Sequence, residues 1–168
     1  MNMTLGMQQA RPALLAALLA AAPQAQAQQL ATRFACSAEH SQDGIFALHA
    51  DRGEIRIDGE HILAFDWESS LFRRTHGFDC SIDTDDGTSA EVRQDADGPS
   101  WRISLKDAVA ARERRGYDFS HGLNCTIRLE QRGNTLLVRP SCPALCGSRA
   151  NFSELAIDLK SGACSYPD

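Results

Sequence analysis

Apolar and polar side chains alternate with a period of two along most of the chain after Phe34. That spacing puts every second residue on one face of a strand. Phe34 and Cys36 share a face of a first strand, and Phe46 and Leu48 share a face of the next. Ile55 and Ile57 alternate with Glu54, Arg56 and Asp58. Asp51-Arg52-Gly53 lies between those two runs and carries a tight-turn signature. Ile62 to Trp67 predicts a further strand. Phe78, Cys80 and Ile82 then point one way, and Asp79, Ser81 and Asp83 the other. Asp85-Asp86-Gly87 and Asp97-Gly98-Pro99 turn the chain before and after the Ala90–Val92 run. Trp101, Ile103 and Leu105 alternate next. Leu155, Ile157 and Leu159 form a late strand, which Ser161-Gly162 turns towards Cys164 and Tyr166. Residues 106–115 break the pattern and predict a short helix. Ser104 and Asp107 have capping-box spacing, and Arg112, Arg114 and Arg115 fall in its last turn, where cations suit the helix dipole. Gly116 suits the position just past its end. The pattern predicts a mainly β fold, an antiparallel barrel or sandwich of about eight to ten strands with one short helix.

One hairpin can be read to the residue. Leu123, Cys125, Ile127 and Leu129 alternate with polar neighbours, and Gly133-Asn134 is a two-residue turn signal. If those two residues turn the chain, Leu129 faces Val138, Ile127 faces Pro140 and Cys125 faces Cys142. A slip of one residue would bring apolar and polar faces together. Counting out from Arg132 and Thr135, Cys125 and Cys142 occupy a non-hydrogen-bonded position. Cα atoms there approach to about 4.5 Å, within disulfide reach. A Cys125–Cys142 bridge is expected, worth about 3 kcal/mol in a loop of this size.

Composition adds compartment. Residues 1–27 have the layout of a cleavable signal peptide: Arg11 as the only charge, an Ala/Leu stretch from Pro12 to Ala22, then Ala25-Gln26-Ala27. The stretch is about 11 residues, short of the roughly 20 that span a bilayer. An amphipathic N-terminal helix is the competing reading. The expected mature unit is a single disulfide-stabilised β domain over 28–168, periplasmic or secreted. Removing the leader takes one Arg and no acid, so the formal charge of −5 becomes more negative. That favours solubility and argues against nucleic acid or an anionic membrane as partner. The six cysteines, Cys36, Cys80, Cys125, Cys142, Cys146 and Cys164, read as three disulfides in an oxidising compartment. With Cys125 and Cys142 paired, Cys146 with Cys164 and Cys36 with Cys80 complete the set.

Candidate chemistry is sparse. Cys142-Pro-Ala-Leu-Cys146 has C-x-x-x-C spacing and no βαβ context, unlike a thioredoxin-type site. His40, His49, His61, His76 and His121 form no metal-binding motif. Asp83-Thr-Asp85-Asp86-Gly87 departs from a calcium loop, with its Gly one position early. No G-x-S-x-G occurs. No catalytic residue, metal ligand or cofactor is assigned. The binding candidates are Arg112, Arg114 and Arg115 with Tyr117, an interface-like composition, and Arg149 in the loop after Cys146.

The tail Cys142-Pro-Ala-Leu-Cys146-Gly-Ser-Arg149 resembles that of small uncharacterised secreted proteobacterial proteins, over about the last 50 residues. Phe34-Ala-Cys36 and the run to Ile57 are similar to periplasmic inhibitors of c-type lysozyme, small disulfide-bearing β-barrels. Their Ser-Gly-x-x-Tyr loop has no match here, so no functional residue is carried over. The expected function is an exported, non-catalytic binding protein of the cell envelope with a protein partner, extending to inhibition of a hydrolase such as lysozyme. A small periplasmic enzyme with residues converging from loops, or a structural envelope component, is the alternative.

Overall fold

The alternation resolves into ten strands in a computed structural model that describes residues 28–42, 45–105, 125–141 and 152–167. Strands β1 (Gln29–Gln42), β2 (Ile45–Asp58), β3 (His61–Arg73) and β4 (Gly77–Ile82) form an antiparallel sheet in chain order. A second antiparallel sheet contains β5 (Thr88–Asp95), β6 (Gly98–Leu105), β7 (Thr126–Arg132), β8 (Thr135–Pro140), β9 (Leu155–Asp158) and β10 (Cys164–Ser165). Its order is β10-β9-β8-β7-β6-β5. Among the described residues no ladder closes the two sheets into a barrel. The helix expected over 106–115 lies outside the described residues.

The inner faces are those the alternation marks. Phe34, Ile55, Ile57, Phe65, Trp67 and Ile82 from the first sheet pack with Trp101, Ile103, Ile127, Leu129, Val138 and Ile157 from the second. Phe152 is buried between them with φ 56, in the left-handed region that bulky residues avoid. Its ring stands edge-on to Trp67 at 4.9 Å, and its N–H donates to Ser69 Oγ at 3.0 Å.

The hairpin from Thr126 to Pro140 takes the expected register, with Leu129 opposite Val138, Ile127 opposite Pro140 and Arg132 opposite Thr135. Gly133 adopts φ 60, as a primed two-residue turn requires.

The turn expected at Asp51-Arg52-Gly53 does not form. β2 runs straight through it, with Gly53 opposite both Phe34 and Trp67. A Cβ on Gly53 would lie 2.1 Å from the Asp66 carbonyl oxygen and 2.9 Å from Phe34 Cζ. The glycine leaves space for a neighbouring backbone and an aromatic ring.

The cysteine pairing also differs from the expected scheme. Cys36 bonds Cys164, with Cα atoms 5.2 Å apart. This overturns the Cys36–Cys80 and Cys146–Cys164 pairs. Cys36 on β1 and Cys80 on β4 share a face, but two strands intervene, a span of about 14 Å that no disulfide bridges. The bond instead joins the edge strands of the two sheets, β1 and β10, beside a single parallel bridge between Ala35 and Ala163. Cys80 and Cys125 are also disulfide-bonded. The expected Cys125–Cys142 bond involves a residue outside the described set.

Candidate protein-binding site

The β3–β4 hairpin carries large apolar side chains into solvent. Leu71 and Cys80 are buried at its base, and every residue over 72–79 between them is exposed. Phe72 is 41% and Phe78 46% exposed. The Arg73 N–H donates to the His76 carbonyl at 2.8 Å, closing the turn over Arg74 and Thr75. Phe72 lies opposite Gly77, and its ring comes within 3.0 Å of where a Gly77 Cβ would stand. Gly77 therefore seats the Phe72 ring against the backbone. The His76 ring packs edge-on to Phe78 at 5.2 Å, and Thr75 Oγ1 lies 2.8 Å from His76 Nδ1. Register places Phe72 with Gly77 on one face of the hairpin and Phe78 with Leu71 on the other, so the tip presents one aromatic ring on each face beside Arg73, Arg74 and His76, above the disulfide-bonded Cys80 at its base. Aromatic and Arg side chains are the types enriched in protein interfaces and their hot spots.

A second polar cluster is buried. Asp51 is 3% exposed and accepts from Trp67 Nε1 through Oδ1 at 2.7 Å and from the Tyr166 hydroxyl through Oδ2 at 2.7 Å. Burial, then the hydrogen bond to Asp51 and its charge, hold the Tyr166 hydroxyl well above the ordinary tyrosine pKa. The rings of His40, His49 and Tyr166 stand in line, at 5.4 and 6.1 Å. Each hydrogen bond here serves to satisfy a buried group. The His49–Tyr166 contact is ring to ring.

Of the residues expected to bind, Arg112, Arg114, Arg115, Tyr117 and Arg149 lie outside the described residues, as do Cys142, Cys146 and His121. His76 is brought to the hairpin tip, at the end of the sheet that also carries His40 and His49. Among the described residues no group of three or more His, Cys, Asp or Glu side chains is placed to hold a metal, and no helix is long and apolar enough to cross a membrane. The Phe72–Phe78 tip was not foreseen. Its signal in the sequence is a pair of phenylalanines placed symmetrically about Arg73-Arg74-Thr75-His76-Gly77. No family model, curated protein or solved structure matches the chain.

Proposed function

We propose that this is an exported, non-catalytic binding protein of the cell envelope that docks onto a protein partner through the β3–β4 hairpin tip, a hydrolase such as lysozyme being one such partner. The observation that carries the reading is the exposure of Phe72 and Phe78 on either side of Arg73 and Arg74, on a turn closed by the hydrogen bond from the Arg73 N–H to the His76 carbonyl. Pre-ordered aromatic anchors lose little entropy on docking. The Cys36–Cys164 disulfide fits an extracytoplasmic site of action. The test is titration of the full chain against c-type lysozyme and a panel of envelope hydrolases, reading binding and residual activity. The chain should bind at least one of them, and Phe72→Ala with Phe78→Ala should weaken that binding about tenfold or more. Binding that ignores both substitutions removes the hairpin from the function.

A further inference from the structure

The outer face of the six-stranded sheet sets arginines against one another. Arg102 on β6 stands directly opposite Arg128 on β7, and Arg128 stands opposite Arg139 on β8. The Leu105 N–H donates to the Cys125 carbonyl at 3.2 Å, which fixes the β6–β7 pairing pattern. By alternation Arg102 and Arg128 form a non-hydrogen-bonded pair, the kind whose Cα atoms come to about 4.5 Å. Like charges in direct opposition destabilise a sheet. Glu130 offsets part of this. Arg128 reaches it at 2.7 Å, and Arg132 and Arg139 at 3.0 Å. Nothing comparable holds the other two arginines. Among the described residues Arg93 and Arg102 form no ion pair, although Glu91 lies opposite Arg102 in register.

These arginines border a groove of about 290 Å³ whose lining includes Arg93, Ser100, Arg102, Thr126 and Arg128. The next row of outward side chains is entirely hydroxylic: Ser89 opposite Ser104, and Ser104 opposite Thr126. Beyond them, Thr126 Oγ1 donates to Ser141 Oγ at 3.1 Å. Guanidinium groups beside a run of hydroxyls match a ligand that carries oxyanions on a polyhydroxylated frame. We propose that this face is a binding site for an acidic saccharide, with Arg93, Arg102 and Arg128 holding its anionic groups and the Ser/Thr row meeting its hydroxyls.

A bound anion would also offset the Arg102–Arg128 opposition that the fold otherwise carries. Single-stranded nucleic acid fits less well, because its recognition uses aromatic stacking platforms. The exposed large apolar residues among those described, Leu63, Phe72 and Phe78, all belong to β3 and β4 on the other sheet. The formal charge of −5 also opposes a long polyanion. The proposal does not rest on the hairpin reading, since the two surfaces belong to different sheets.

The test is calorimetric titration of the full chain with polygalacturonate (carboxylates), heparin (sulfates), neutral dextran and a single-stranded oligonucleotide. At least one acidic saccharide should bind, dextran should not, and added salt should weaken the binding. Arg93→Gln and Arg102→Gln should each lower saccharide affinity about tenfold without lowering the melting temperature. Neither acidic saccharide binding, or binding that survives both substitutions together, overturns the site. An oligonucleotide that binds more tightly than either saccharide, with the same arginine dependence, overturns the ligand class.

Discussion

Tyr166 donates its phenolic proton to Asp51 across 115 residues of sequence, at 2.7 Å, and Trp67 donates to the other oxygen of the same carboxylate at 2.7 Å. Asp51 lies opposite Cys36 on β1, and Cys36 is bonded to Cys164, two residues before Tyr166. The disulfide therefore delivers the tyrosine to the buried acid. Tyr166→Phe should cost about 1.5–3 kcal/mol, the usual worth of a hydrogen bond to a charged group, measured by urea unfolding. Asp51→Ala should cost more, because it leaves both the Trp67 and Tyr166 donors without their acceptor.

The raised pKa of Tyr166 sets an alkaline limit. The folded state holds this proton more tightly than the unfolded chain, whose tyrosines ionise near pH 10. The stabilisation is complete below that value and is lost as pH rises from there through the folded pKa. Melting temperature should therefore fall more steeply above about pH 10 in the wild type than in Tyr166→Phe. Parallel curves would show that Tyr166 titrates as if exposed.

Cys36→Ala with Cys164→Ala should destabilise the fold by about 4–5 kcal/mol on the chain-entropy estimate for a long loop. The bond spans 128 residues. Because it also positions Tyr166, its loss should not add independently to Tyr166→Phe. A double-mutant cycle should show Tyr166→Phe costing less in the disulfide-free background. Full additivity would mean that β10 stays docked without the bond.

Gly53→Ala is a severe substitution at a strand interior. Its Cβ would meet the Asp66 carbonyl oxygen, a backbone atom held in the ladder that cannot swing aside. The loss should reach about 3 kcal/mol or more, read by thermal or urea unfolding. An unchanged midpoint would show that β2 and β3 are more loosely joined at this point.

Local rules made the Thr126–Pro140 hairpin legible, because the Gly133-Asn134 turn and the coincident apolar faces specify one register. The same rules misread Asp51-Arg52-Gly53, since turn-forming residues there serve long-range ends. Asp51 is buried because Trp67 and Tyr166 supply its donors, and Gly53 makes room for Phe34. The cysteine pairs depend on sheet order, which places Cys36 at the seam with β10 and which alternation alone does not reveal. The hairpin tip was hidden for a related reason. Phe78 reads as an ordinary strand residue and Phe72 falls beyond the predicted Ile62–Trp67 strand, until β3 is seen to run on to Arg73 and the core to stop at Leu71 and Cys80.

Glu130 holds together the most crowded charges on the six-stranded sheet. Its side chain is 10% exposed and meets Arg128, Arg132 and Arg139. Arg139 is shared with Glu154 at 2.7 Å, and the hydrogen bond to that carboxylate is the main cause raising its pKa. Glu130→Gln keeps the shape and removes the charge, so the Arg128–Arg139 opposition loses the carboxylate the two arginines share, while Arg139 keeps Glu154. The three arginines are partly exposed, so solvent screening limits the loss to about 1–2 kcal/mol. Salt should then separate the variant from the wild type. Raising ionic strength shortens the Debye length to about 3 Å at 1 M, which weakens the attraction to Glu130 in the wild type but relieves arginine repulsion in the variant. Melting curves in low and high sodium chloride should show the gap between the two proteins narrowing with salt. A gap that stays constant would assign the loss to packing around residue 130 instead of charge.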